Sequence, residues 1–97
     1  MTLQAFRDSL VRDEPPRQLN FALAGLWWDA KGDWNRAHEA AQQDEGPAGA
    51  WVHAYLHRKE GSEWNADYWY RRSTKAHHRP TLEAEWLALV ESLLPKS

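Results

Sequence analysis

The sequence predicts an all-α protein with about six short helices in a single domain over residues 1–97. Three observations predict it. The length of 97 residues suits one domain, and 42% hydrophobic residues are enough to build a core. Apolar residues recur every three or four positions and no segment shows sustained strand alternation. Gly and Pro turns divide the chain at short intervals.

The first two helices are separated by the Pro15–Pro16 pair. Residues 2–14 form an N-terminal capping helix that must end there, because proline lacks a donor and restricts the residue before it. Residues 18–31 are apolar on nearly all sides, which predicts a central, buried helix. The apolar positions are Leu3, Phe6 and Leu10 in the first helix and Leu19, Phe21, Leu23, Leu26, Trp27 and Trp28 in the second.

Turns marked by Gly and Pro separate three further helices, predicted over residues 33–43, 47–60 and 62–72. Gly32 and Gly61 suit the left-handed position that ends a helix. Each is followed by a residue type that favours the N-cap of the next helix. The chain therefore alternates helix and tight turn.

A C-terminal capping helix is predicted over residues 81–94. Thr81 is its N-cap, and Glu83 and Glu85 in the first turn suit the helix dipole. Its apolar stripe consists of Leu82, Trp86, Leu89, Val90 and Leu93.

An internal repeat joins these elements. The stretches DAKGDWNRAHEA and RKEGSEWNADYW, which begin at positions 29 and 58, align so that Gly32 matches Gly61 and Ala37 matches Ala66. A small residue five positions after the turn lets two helices approach closely. We therefore expect two antiparallel helical hairpins that stack, because neither can bury its apolar face alone.

The segments GDWNRA and NADYWYRRS resemble the turn and the second helix of the tetratricopeptide-like superfamily. The resemblance covers residues 18–73 and implies a helical-repeat scaffold that binds a protein or peptide. The tract GAWVHAYLHRKEG, from position 49, is similar to one in small bacterial proteins and implies a bacterial source.

Bulk properties exclude several classes of protein. The formal net charge of -2 argues against a binder of duplex nucleic acid, which needs a basic stripe. No apolar run approaches the length of a membrane span, and the first residues do not form a secretory signal, so a cytoplasmic location is expected. The absence of Cys excludes disulfides and thiolate metal sites.

Histidines suggest a metal site as one alternative. His53 and His57 lie at i and i+4 on one predicted helix, and Glu60 follows on the same face. Two imidazoles and a carboxylate suit zinc or iron, and His38 could join them if it faced His53. The other interpretation is that these are polar residues bonded to neighbours, since the zincin motif is absent.

A basic, aromatic stretch suggests a binding surface. From position 58 to position 79, six basic residues outnumber three acidic ones, and Arg beside aromatic rings can bind anions. An acidic protein segment would fit it better than duplex nucleic acid. Pairing of Arg71 with Asp67 and capping of a helix end are the simpler alternative. The basic residues are Arg58, Lys59, Arg71, Arg72, Lys75 and Arg79, while His77, His78 and Arg79 are expected in a solvated loop.

The leading hypothesis is a scaffold that binds a protein or peptide partner. A second copy of the chain is one candidate for that partner. The predicted binding surface consists of His53, Tyr55, His57, Arg58, Trp69, Tyr70, Arg71 and Arg72. The alternatives are a metal-binding protein or small metalloenzyme using His53, His57 and Glu60, and a regulatory subunit. No catalytic residues are predicted, because no nucleophile motif or phosphate loop stands out.

Seven Trp residues divide by position. Trp27 and Trp86 lie on apolar stripes and are expected in the core. Trp34 and Trp64 follow the two Gly turns and are expected to wedge the hairpins. The remaining three, Trp28, Trp51 and Trp69, have polar neighbours and are expected to be half-buried.

Overall fold

The computed structural model describes residues 1–73 and 80–95, which form six α-helices, one short 3₁₀ helix and no strand. The all-α prediction is confirmed. The helices are α1 (Leu3–Asp8), α2 (Phe21–Ala30), α3 (Trp34–Gln42), α4 (Pro47–Glu60), α5 (Glu63–Ser73) and α6 (Leu82–Leu93), and Ser9–Val11 form the 3₁₀ turn. None of the helices among these residues is long and apolar enough to cross a membrane.

Side-chain caps set where the helices begin. Asp33 and Thr81 accept hydrogen bonds from backbone N–H groups three residues on, as predicted. Asn20 does the same, with its Oδ1 2.8 Å from the amide nitrogen of Leu23. Because Asn20 takes the N-cap position, α2 begins at Phe21, three residues later than the apolar pattern predicts.

Helix α4 is the central element. Helix α2 packs against α3 and α4 packs against α5, which gives two helical hairpins, and α4 also contacts α2, α3 and α6. Ala37 and Ala66, the matched small residues of the repeat, are both completely buried. A Cβ on Gly25 would lie 3.1 Å from the carbonyl oxygen of Ala37, so α2 and α3 also approach closely there. The largest fully buried side chains are Trp27, Tyr70, Phe6, Leu23, Leu26, Leu56 and Leu89.

The tryptophans follow the predictions with two exceptions, Trp64 and Trp86. Trp27 is fully buried, and Trp34 donates its indole N–H to the carbonyl oxygen of Leu56, which ties the two hairpins together. Trp86 is half-buried against the core and also donates to a backbone carbonyl. Trp64 is 79% exposed, so the prediction that it wedges a hairpin is wrong. Trp28, Trp51 and Trp69 are half-buried, as expected.

Gly61 ends α4 in the left-handed conformation, with φ of 93°. The Gly61→Ala substitution is expected to lower the free energy of unfolding by about 1–2 kcal/mol, because a Cβ disfavours this conformation. Gly61→Asn is the matched control and should cost less, since Asn tolerates positive φ. Urea unfolding of the two variants measures the difference, and equal stability of Gly61→Ala and wild type would contradict the argument.

Candidate functional site

Three histidines meet where α3 packs against α4. His38 lies on α3, and His53 and His57 lie one turn apart on α4. One ring nitrogen from each lies within 4.8 Å of the other two. The Nε2 atoms of His38 and His53 are 3.1 Å apart. The sequence predicted the pair on α4, and the packing of α3 adds the third imidazole.

Helical spacing and the packing of α3 against α4 bring these rings together. The rings of His53 and His57 are nearly parallel, with centroids 5.8 Å apart, as the i, i+4 spacing dictates. Helix α3 packs against α4, and this packing places Nε2 of His38 3.1 Å from Nε2 of His53.

Glu60 contacts the cluster from the side. Its Oε2 atom lies 2.6 Å from Nδ1 of His57. This bond occupies Nδ1 and leaves Nε2 as the nitrogen of His57 that is available to an ion. The sequence grouped Glu60 with the two histidines as a metal ligand, whereas here Glu60 is a hydrogen-bond partner of one of them.

Two tryptophans enclose the histidines. The indole of Trp34 stacks on His38 at 4.9 Å, and the indole of Trp69 stacks on His53 at 4.1 Å. The hydrogen bond from Trp34 to the backbone of α4 holds its ring in place. The two imidazoles are therefore oriented by flat aromatic walls.

Burial keeps two of the imidazoles neutral. His53 is 2% exposed, and its pKa is lowered to about 4 by burial first and then by His38 and His57. Burial and His57 also lower the pKa of His38, while Glu60 and Glu39 oppose that shift. At neutral pH both rings keep a lone pair, which is the state that a metal ion requires.

Tyr55, predicted for the binding surface, lies in the interior. Its hydroxyl donates to Oδ2 of Asp29 at 2.9 Å, and Lys59 donates to Oδ1 of the same carboxylate at 2.8 Å. Burial and Asp29 raise the pKa of Tyr55 above its ordinary value. Tyr55 is 3% exposed and holds α4 to α2, so it cannot contact a partner directly.

Arg58 and Tyr70, also predicted for the surface, bind a second buried carboxylate. Arg58 Nη1 lies 2.6 Å from Oε1 of Glu85, and the Tyr70 hydroxyl donates to Oε2 at 2.5 Å. Trp51 donates its indole N–H to the same Oε2. Tyr70 is 1% exposed and Glu85 is 3% exposed, so this group joins α4, α5 and α6 internally. The predicted surface is wrong at these positions because paired carboxylates draw the side chains inward.

Of the other residues of the predicted surface, His53 and His57 lie on α4 in the histidine cluster, and His53 is too buried to contact a partner. The last three lie on α5. Arg71 and Arg72 are exposed and Trp69 is half-buried. The Arg72 guanidinium lies over the rings of Tyr68 and Trp69, at 5.6 and 5.4 Å from their centroids. Lys75, His77, His78 and Arg79 lie outside the described residues. Among those described, the basic patch therefore reduces to the end of α5, because Arg58 and Lys59 bind buried carboxylates.

Comparisons with known proteins return no match. No protein-family model, curated protein or solved structure matches the chain. The tetratricopeptide-like resemblance therefore stays a prediction, and the geometry of the site carries the functional argument.

Proposed function

We propose that this protein binds one zinc ion through His38, His53 and His57. The observation that carries the proposal is the convergence of three imidazole nitrogens within 4.8 Å of one another. Imidazole is a common zinc ligand, and two of these rings are neutral at pH 7 because burial lowers their pKa values.

The distances suit a tetrahedral ion. Zinc–nitrogen bonds of about 2.0–2.1 Å place two ligand nitrogens about 3.4 Å apart at a tetrahedral centre. The Nε2 atoms of His38 and His53 already lie 3.1 Å apart. A small rotation of the His57 ring would complete a three-nitrogen set.

The ligand chemistry favours zinc over iron. Non-haem iron sites commonly take two histidines and a carboxylate, but Glu60 is engaged with Nδ1 of His57. A carboxylate in that position orients the ligating ring and raises its basicity, as in many zinc sites. Glu60 and Glu39 also act electrostatically on His38, so negative charge lies near the bound cation. Three protein ligands leave a fourth position for water, which is the ligand number of catalytic zinc sites.

Zinc should bind at one equivalent per chain and raise the melting temperature. At about 100 times the dissociation constant, binding adds about 2.7 kcal/mol, or about 10–20 °C for a domain of this size. The measurement is elemental analysis and calorimetry of untagged protein that has been stripped with a chelator and reloaded. His38→Gln should abolish both effects, while Glu60→Gln should weaken affinity about 10–100-fold.

The chain offers a matched control. His77→Gln/His78→Gln removes the two other histidines of the sequence, neither of which is a proposed ligand, and should leave stoichiometry and affinity unchanged. The proposal fails if wild type binds no stoichiometric zinc. It also fails if the control variant loses binding while His38→Gln keeps it.

A further inference from the structure

A cavity of about 490 Å³ lies where α1, α2, α4 and α6 meet, and none of the three clustered histidines lines it. Its size falls within the range of small-molecule sites, which is about 300–1,000 Å³. Arg7, Lys59 and Glu83 line the cavity and are exposed, so it is open to solvent at these residues.

Two buried residues that line the cavity already have their partners within the chain. The Asp29 carboxylate accepts hydrogen bonds from Tyr55 and Lys59, and the lysine also balances its charge. Asp29 therefore does not by itself require a cationic ligand.

Two other charged residues of the cavity are unpaired. Arg7 is at the end of α1, and Glu83 is in the first turn of α6. Among the described residues, neither side chain has an ion-pair partner. A guanidinium can bind a carboxylate through two hydrogen bonds, and a carboxylate can accept hydrogen bonds from an ammonium group. The cavity therefore offers one free group of each sign.

The rest of the lining is apolar and includes Ala30, Leu82 and Trp86. The indole N–H of Trp86 donates to the carbonyl oxygen of Leu26 at 3.1 Å, which holds its ring in place. Such a wall suits an apolar group, and an aromatic ring gains additional stabilisation from packing against Trp86.

We propose that this cavity binds a free amino acid with an apolar side chain. Arg7 and Lys59 are positive and Asp29 and Glu83 are negative, so the charges of the lining sum to zero. A zwitterion satisfies Arg7 through its carboxylate and Glu83 through its ammonium group, while its side chain contacts Trp86. A simple anion or cation would leave one of these two residues unpaired. The cavity does not use the histidine cluster, so this inference is independent of zinc binding.

Calorimetric titration with L-phenylalanine tests the proposal. The dissociation constant should be about 1 mM or lower, as expected for a ligand of this size. Three matched probes each lack one feature: 3-phenylpropionate lacks the ammonium group, phenethylamine lacks the carboxylate, and glycine lacks the apolar side chain. Each should bind at least about tenfold more weakly, because one part of the cavity is left without its partner.

Two variants link each charge of the ligand to one residue. Arg7→Gln and Glu83→Gln should each weaken phenylalanine binding about tenfold, which is the loss of one charge-assisted hydrogen bond. Arg7→Gln should also lose the preference for phenylalanine over phenethylamine, and Glu83→Gln the preference over 3-phenylpropionate. The matched controls are Arg12→Gln and Glu91→Gln, which remove exposed charges outside the cavity and should bind phenylalanine as wild type does.

Four results would overturn the proposal. The first is no heat of binding with phenylalanine up to about 10 mM. The second is equally tight binding of 3-phenylpropionate or phenethylamine to wild type. The third is an equal loss of affinity in the control variants and in the Arg7 and Glu83 variants. The fourth is binding that requires added zinc, which would place the amino acid at the histidine cluster.

Discussion

The Arg58→Met substitution is expected to lower the free energy of unfolding by about 3–5 kcal/mol. Arg58 Nη1 lies 2.6 Å from Glu85, whose side chain is 3% exposed. Without the guanidinium, the buried carboxylate keeps only neutral donors from Tyr70 and Trp51. A buried charge without its counter-ion is far less stable than the same charge in water. Urea unfolding of wild type and variant measures the loss.

Arg58 also binds the segment that precedes α6, because its Nη2 donates to the backbone carbonyl of Pro80. The substitution therefore removes a link between α4 and the start of α6 together with the ion pair. We expect the loss to appear mainly in the midpoint of unfolding, since the area exposed on unfolding changes little.

Two further variants separate the charge effect from lost packing. Arg58→Met/Glu85→Leu removes both charges and should be more stable than Arg58→Met by at least about 2 kcal/mol, because no unpaired ion remains. Arg36→Met is the matched control on the surface, where Arg36 is 61% exposed and lies 3.6 Å from Asp33. It should cost less than about 1 kcal/mol. Equal losses for the Arg58 and Arg36 variants would contradict the argument.

The all-α class and most turns were predictable because their causes are local. Asp33 and Thr81 cap helices through atoms three residues away, and Gly61 ends a helix through its own φ angle. Such interactions depend on neighbouring sequence alone. The start of α2 was predicted less well, because Asn20 caps the helix inside a segment that is otherwise apolar.

The candidate site was half predictable for the same reason. His53 and His57 share a face because of helical spacing, which the sequence contains directly. His38 lies on another helix, and its distance to His53 depends on how closely α3 approaches α4. The sequence could not predict that Glu60 is a hydrogen-bond partner of His57, because i, i+3 spacing permits either a shared ion or a direct hydrogen bond.

The buried carboxylates explain why the predicted binding surface fails at Tyr55, Arg58 and Tyr70. A basic or phenolic side chain looks available in sequence unless its acidic partner is known. One signal was present: Glu85 lies between Leu82 and Leu89 on the apolar stripe of α6, where an acidic residue must be paired. Asp29 follows two tryptophans on the most apolar helix and carries the same signal.

These pairs have a consequence for the histidine cluster. Arg58 and Lys59 follow His57 directly on α4 and connect it to α6 and α2. Helix α4 therefore carries two of the three imidazoles and is also fixed by ion pairs to two buried carboxylates. A site held on a rigid helix keeps its ligands near the geometry that an ion needs.

Acid should destabilise the metal-free protein through His53. The pKa of His53 is about 4 in the folded chain and 6.5 in its ordinary state. Between these values the unfolded chain binds a proton that the folded chain excludes, so stability is complete above pH 6.5 and falls as the pH drops towards 4. The loss reaches about 3 kcal/mol near pH 4, since each pKa unit corresponds to about 1.4 kcal/mol. His38 contributes in the same direction, because its pKa is also lowered.

A variant that lacks the His53 ring separates the contribution of His53 to the pH dependence of stability from that of carboxylates, which titrate in the same pH range. The His53→Gln variant keeps a polar side chain beside His38 and removes the titrating ring. Between pH 7 and pH 4, its free energy of unfolding should fall by about 3 kcal/mol less than that of wild type. His77→Gln/His78→Gln should keep the full wild-type dependence. We expect different pH profiles because His53 is buried between His38 and Trp69. Parallel profiles for His53→Gln and wild type would contradict the prediction, since they would mean that His53 protonates equally easily in the folded and unfolded chains.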